Sequence, residues 1–447
     1  MEDKYLAIVE NVVSNAAKLG AAMAEAYMVR SKELSIEVRD GAVETMKLAE
    51  DRGIGLRLIN NGRVGFAFST DLSDNGVAEL TKEALANASN TEQDEYYTLP
   101  ELATQYPQLD LYDPDINSAT VEQKIQLAID MEQAAKNYDP RVKIIESSSY
   151  SDGEVEVSIV NSKGLSTSYR GAYSGIYVAL VAGEGEDSQT GFAIDYNLKY
   201  KELDPVKVGK KAAERAVRML GAKPIPTQRM AVVLDPYVAT SFLGLLAPAL
   251  TGDAVQKGRS LFAGKVGKEV AAKHITITDD GSLPGGIASA PFDGEGVPTS
   301  KTVLIQNGVL QGYLHNTYTA AKEGAKSTGN GVRSSFKSTP EVGTTNFFIE
   351  PGQTSAGQII QEISKGIYIT EVMGMHTANP ISGDFSLGAA GILIENGELT
   401  KPVRGVAIAG NVMELLGAVD AVGSDLQFFG GRGAPTIRIA QMTVSGK

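Results

Sequence analysis

Cysteine is absent from the 447-residue chain, and histidine occurs only three times, at His274, His315 and His376. The first absence excludes disulfides, thiolate nucleophiles and Cys-ligated metals, and suits a reducing compartment. The second restricts imidazole chemistry, because the three histidines lie in separate segments without ligand spacing; local hydrogen bonding is their ordinary fate. Positive charge is also short. Lys and Arg number 41 against 54 Asp and Glu, a net charge of −13, so the surface field repels phosphate backbones and anionic lipid. Neither nucleic acid nor membrane is an expected partner. No apolar run approaches the ~18 residues of a membrane span. The opening stretch, MEDKYLAIVE, lacks the basic and apolar regions of a secretory signal. A soluble cytoplasmic protein is expected.

What the chain does have points to an α+β fold in more than one unit. At 447 residues it exceeds the ~250–300 at which single cores stop growing. Its 48 glycines, set among Val, Ile and Thr, suggest many tight turns between strands. Tyr5, Ile8, Val12 and Ala16 fall near helical spacing and stop at Gly20, a first helix. Alternating strands follow, with hairpin turns at Asp40-Gly41 and Asn61-Gly62, and a helix over 73–88. Asn90 to Pro114 reads as a linker. Thr120 and Gln123 form a capping box ahead of a helix that ends at Asp139-Pro140. Hairpin turns are expected at Asp152-Gly153 and across Asn161 to Gly164. A helix over 205–220 has Asp204 as cap, Pro205 at its first position and Gly221 past its end.

Beyond Met230 short strands dominate, with one apolar helix running from Asp235-Pro236 toward Pro248. VLIQNGVL (303–310) and ILIENGEL (392–399) each form an Asn-Gly hairpin. The expected organisation is an α/β domain over 1–110, a central α/β domain over 111–226 and a β-rich domain over 227–447.

Nucleophile and phosphate motifs are missing. No serine lies in a G-x-S-x-G elbow. GEGEDSQTG (183–191) lacks the P-loop lysine, and its three carboxylates would repel phosphate. Asp279, Asp280, Asp293 and Glu295 could bind a hard cation if folding gathered them, although carboxylates in Gly-rich stretches are usually turn formers.

One set of strings is specific when taken together: GDAVQKGRS (252–260), TDDGSLPGG (278–286), FDGEGVP (292–298), STGNGVR (327–333) and HTANPISGDFSLGAAGILIENGEL (376–399). With NSKGL (161–165) and VVLDP (232–236), they make nearly the whole chain resemble the TldD/PmbA family of cytoplasmic metalloproteases. The resemblance implies an elongated α/β N-terminal region, a β-rich C-terminal domain and dimeric assembly around an internal cavity. TldD-type members carry HExxxH on the helix just ahead of a Gly-Asp pair, where two histidines and a third ligand hold a metal and the glutamate can act as general base. Histidines five apart lie about 140° apart on an ideal helix, so that motif needs a distorted one.

This chain departs from the motif. Counting back from Gly252-Asp253, Leu243 and Pro248 stand at the histidine positions and Gly244 at the glutamate position. None offers a donor to a metal, so no metal site, no cofactor and no catalytic residue are expected, and the helix reads as plain core. That pattern resembles the PmbA/TldE-type members. The family's older label, modulator of DNA gyrase, implies no DNA contact for so acidic a chain.

The better candidates for recognition are STGNGVRSSF and SGDFSLGAAG, where glycines admit a backbone and Asn330, Arg333, Asp384 and Ser386 offer polar contacts, with His376 nearby; the alternative is that both strings are structural turns. An extended peptide could add to a strand edge there. The resulting expectation is a non-catalytic subunit that pairs with an HExxxH-bearing TldD-type partner and helps enclose unfolded or short peptides. The alternative is a homodimeric peptide-binding protein without proteolysis. An unconventional enzyme built on His376 ranks last.

Overall fold

The computed structural model describes residues 2–446. Helix α1 (Glu2–Lys18) leads into three strands, β1 (Met23–Arg39), β2 (Ala42–Asn60) and β3 (Arg63–Ser69). Their turns are the expected ones. Asp40, Gly41, Asn61 and Gly62 all have positive φ, the type I′ geometry whose twist matches that of the flanking strands. Helix α2 (Asp74–Ser89) is capped by Ser73. After a stretch of little regular structure come α3 (Pro114–Ser118) and α4 (Val121–Tyr138), the latter opening on the Thr120–Gln123 capping box. Strands β4 (Val142–Asn161), β5 (Ser166–Ala182) and β6 (Gln189–Asn197) precede α5 (Pro205–Val217), capped by Asp204.

One expected hairpin does not form. Strand β4 passes straight through Asp152-Gly153. The Asp152 carboxylate is buried and accepts from Lys124 Nζ at 2.6 Å and from the Tyr150 hydroxyl at 3.0 Å. Gly153 makes room for a ring: a methyl group there would meet Tyr173 Cε1 at 2.5 Å.

The strands assemble in the order β3-β2-β1-β4-β5-β6, every pair antiparallel. The sheet therefore crosses position 110 without a break, since β1 pairs with β4 from Glu25↔Asn161 to Val38↔Ser148. Alternation gives β1 two faces. Ala24, Ala26 and Met28 pack with α1 and α2, and Ile36 and Val38 with α4 and α5. Tyr27, on the other face, packs against Phe292.

The C-terminal half begins with β7 (Gln228–Leu234), α6 (Pro236–Leu246) and α7 (Gly252–Gln256). Strands β8 (Ile277–Asp280), β9 (Lys301–Gln306) and β10 (Val309–Leu310) follow, then α8 (Thr317–Glu323). Next come β11 (Gly331–Val332), β12 (Glu341–Val342), β13 (Phe347–Ile349), α9 (Ala356–Gln361), β14 (Lys365–Met373), β15 (Asp384–Glu395) and β16 (Glu398–Asn411). The chain finishes with α10 (Val412–Gly417), β17 (Val419–Val422), β18 (Gln427–Phe429), β19 (Arg432–Ala434) and β20 (Ile437–Ser445). Two six-stranded sheets result, β10-β9-β8-β13-β19-β18 and β16-β15-β14-β7-β20-β17. Pairing of β16 with β20 closes five strands of the second into a ring. Helix α6 packs against β14 of the ring and β19 of the other sheet, so it lies at the centre of the largest core. The whole is an α+β protein with a β-rich C-terminal region. No helix among the described residues is long and apolar enough to cross a membrane.

Candidate functional site

Helix α6 positions the site. Asp235 caps it, accepting from the Tyr237 amide at 3.0 Å, with Pro236 in the first turn. Its α-helical winding stops at Leu246, and Ala247–Leu250 tightens into a 3₁₀ turn. Five residues apart across that change, Leu243 and Pro248 do not face a common point: Leu243 is buried in the core, whereas Pro248 is exposed. Only part of the helix is plain core, because Gly244 and Pro248 line an open cavity of about 500 Å³. Over Gly244 lies the Arg432 side chain from β19. A methyl group on Gly244 would meet Arg432 Nη1 at 2.7 Å.

Two further cavities adjoin this one. The first, about 310 Å³, shares Asp253 and Val342 with it. There Tyr97 stacks on Tyr318 with ring centroids 4.9 Å apart, and the Tyr318 hydroxyl donates to Asp94 at 2.7 Å. The second, about 180 Å³, shares Thr344 and is walled by Tyr27, Phe292 and Arg333. Both lie where the N-terminal sheet meets the C-terminal half. Strand β12, which pairs only with β11 among the described residues, places Val342 in the first two cavities.

A buried ion cluster fixes that seam. Arg57 donates to both Glu25 oxygens, at 3.2 and 3.0 Å, and to Glu295 Oε1 at 3.0 Å. Arg333 donates to Glu25, to the Gly294 carbonyl at 2.7 Å and to the Ser338 carbonyl at 2.7 Å. Asp293 accepts the amides of Glu295 at 2.9 Å, Val297 at 3.0 Å and Gly331 at 2.7 Å. Burial, reinforced by the neighbouring Glu295 carboxylate, pushes Asp293 up to about 8 against the pull of those amides. Charge balance agrees, since three carboxylates face two guanidiniums until one carboxylate takes a proton.

The residues singled out in the sequence scatter around this centre. Asn330 is buried, bonding the Asp279 carboxylate at 2.7 Å and the Gly343 carbonyl at 3.0 Å. Arg333 lines the third cavity while giving its donors to the protein, so both act from within the wall. His376 is exposed on a short 3₁₀ turn. Asp384 and Ser386 are exposed at the start of β15, and Asp384 holds its own loop through Ser382 at 2.7 Å and Asn411 at 2.9 Å. The adjacent Pro380 and Ile381 do reach the largest cavity. His315 is buried on Gly252 with Nδ1 at 3.2 Å from the Thr319 hydroxyl. Sequence reasoning missed Arg259 and Arg432, both lining the largest cavity. Arg259 stood inside the GDAVQKGRS string, whereas nothing local marks Arg432.

The metal implied by the resemblance does not fit these residues. Leucine, glycine and proline bring no lone pairs, and a guanidinium beside Gly244 would repel a cation. Among the described residues no group of three or more His, Cys, Asp or Glu is arranged to hold a metal ion.

Comparison with known proteins places the whole chain. Profiles described as PmbA/TldA metallopeptidase domain 1, central domain and C-terminal domain match residues 24–88, 114–220 and 227–446. The chain is 30% identical to "Metalloprotease PmbA" of Escherichia coli O157:H7, over 98% of this chain and 96% of that one. It is also 30% identical to a "Metalloprotease" of Methanothermobacter thermautotrophicus, over 93% and 94% of the two chains. Among solved structures it resembles a putative modulator of a DNA gyrase from Thermotoga maritima, with TM-score 0.91, 28% identity and coverage of 99% and 100%. TldE from Thermococcus kodakarensis gives TM-score 0.91 at 25% identity, covering 98% and 100%. With all three domains matched in order and relatives aligned along nearly their full length, the chain belongs to the TldD/PmbA metallopeptidase family.

Proposed function

We propose that this chain is a non-catalytic, cytoplasmic subunit of a proteolytic complex, pairing with an HExxxH-bearing relative and helping to enclose unfolded or short peptides. The observation that carries this reading is the chemistry of α6: Leu243, Gly244 and Pro248 offer no metal donor, and the Arg432 guanidinium stands where a side chain at position 244 would project. Three adjoining cavities and the free edge of β12 support the peptide half of the reading, since an extended chain added to a strand edge gains main-chain hydrogen bonds whatever its sequence. Asn330 and Arg333 would hold the wall of that groove, with His376, Asp384 and Ser386 at its outer rim. The test is to express the chain alone and together with an HExxxH-bearing relative, and to assay unstructured peptides with and without chelator. Cleavage that needs both chains and a metal supports pairing. Chelator-sensitive cleavage by this chain alone overturns it, and failure to form any complex favours a homodimeric peptide binder instead.

A further inference from the structure

The largest cavity has an unbalanced charge. Arg259 and Arg432 both line it, both are exposed, and neither guanidinium has a hydrogen-bond or ion-pair partner among the described residues. Its one acidic residue, Asp253, is already neutralised by Lys257 Nζ at 2.9 Å. Apart from Thr251 and Thr344, the rest of the wall is apolar or glycine, with Ala247, Pro248, Ala254, Val342 and Ile381 supplying the apolar surface. At about 500 Å³ it falls within the ~300–1,000 Å³ of small-ligand sites.

We infer that this cavity binds the C-terminal carboxylate of a peptide, gripped by Arg432 and Arg259, with the last side chain against the apolar wall. The inference rests on the peptide-binding reading and adds an end-specific anchor to it. Guanidinium is the side chain suited to planar, bidentate recognition of a carboxylate. The apolar wall selects an aliphatic terminal residue over a hydroxylated phosphate ester. Gly244 contributes by lacking a side chain, which lets Arg432 lie over the helix; any larger residue there would move the guanidinium.

The probe is a fluorescent unstructured hexapeptide ending in Ala-Leu, prepared with a free C-terminal carboxylate and as the C-terminal amide, titrated by anisotropy against the full chain at low salt. The acid is expected to bind about tenfold more tightly than the amide, a modest ratio because the arginines are solvent-exposed. Arg432→Gln and Arg259→Gln should each bring the acid-to-amide ratio toward one, and Gly244→Ala should reduce it by displacing Arg432. Equal binding of acid and amide by the native chain overturns the carboxylate anchor and leaves peptide binding intact. A ratio that survives both arginine substitutions overturns it as well. If inorganic phosphate at matched ionic strength displaces the acid peptide as well as acetate-capped leucine does, the site is a general anion site and the anchor fails. Absence of binding by either peptide overturns both this inference and the peptide-enclosing role.

Discussion

Replacing Arg333 by methionine tests whether the buried ion cluster holds the two halves of the molecule together. The guanidinium is almost wholly buried and contacts Glu25, the Gly294 carbonyl, the Ser338 carbonyl and the face of Tyr27, 4.8 Å from its ring centroid. Removing one partner of a buried pair leaves an uncompensated charge, at about 3–5 kcal/mol. Here Glu25 keeps two hydrogen bonds to Arg57, which moves the charge term to the low end. The buried Gly294 carbonyl loses a donor at about 1 kcal/mol, the half-buried Ser338 carbonyl can turn to water, and the methionine side chain keeps part of the stem packing. The expected loss is about 3–4 kcal/mol in urea denaturation, with faster amide exchange at Gly294 and Gly331. Glu25→Gln should cost less in the Arg333→Met background than in the native one, with a coupling of at least about 1 kcal/mol. A loss below about 0.5 kcal/mol, or additive single effects, would refute the claim that this cluster couples the N-terminal sheet to the C-terminal half.

Two other outcomes follow from the same packing. Asp293 is raised in the folded state to about 8 from an ordinary 3.8, so its protonated form contributes stability that is complete below pH 3.8 and lost as pH rises through about 8. The stability advantage of the native chain over Asp293→Asn should therefore shrink between pH 5.5 and pH 9; an advantage that grows over this range means the carboxylate is ionised in the fold. At the contact of α5 with α4, a methyl group at Gly209 would meet the Met131 carbonyl at 2.4 Å and Ala134 Cβ at 3.0 Å. Overpacking against backbone costs about 1–3 kcal/mol, more than the gain of about 1 kcal/mol from alanine in a helix. Gly209→Ala should lower stability by about 1–2 kcal/mol, and a more stable variant would show that the helices are not in such close contact.

Features decided within a few residues were legible in the sequence. Asp40-Gly41, Asn61-Gly62, Asn307-Gly308 and Asn396-Gly397 all adopt the positive φ values that type I′ turns require, and the Thr120 and Asp204 caps make the expected bonds. Asp152-Gly153 misled because an Asp-Gly pair signals a turn only through its local tolerance. Lys124, twenty-eight residues away, supplies the aspartate with a buried cation, and Tyr173 fills the space over the glycine. Tertiary partners overrode the local signal. The seam was illegible for the same reason on a larger scale, since Glu25 and Arg333 lie 308 residues apart.

Gly244 and Arg432 carry this point into function. From the sequence alone, leucine, glycine and proline at the motif positions mean loss, and a helix that has lost its ligands should revert to core. Leu243 does so, buried against the β-sheet side chains. Gly244 and Pro248 do not, because they still face an open cavity. A glutamate at position 244 could not coexist with the present Arg432 rotamer, as the contact distance over Gly244 requires. The missing side chain at position 244 and the place of the Arg432 guanidinium are therefore coupled, since only glycine leaves the guanidinium room over the helix. A fixed guanidinium cannot acidify a bound water as a metal ion does, yet it still attracts the same anionic or carbonyl oxygen. On the peptide-binding reading proposed above, this guanidinium would hold a peptide end without supplying a metal-activated water.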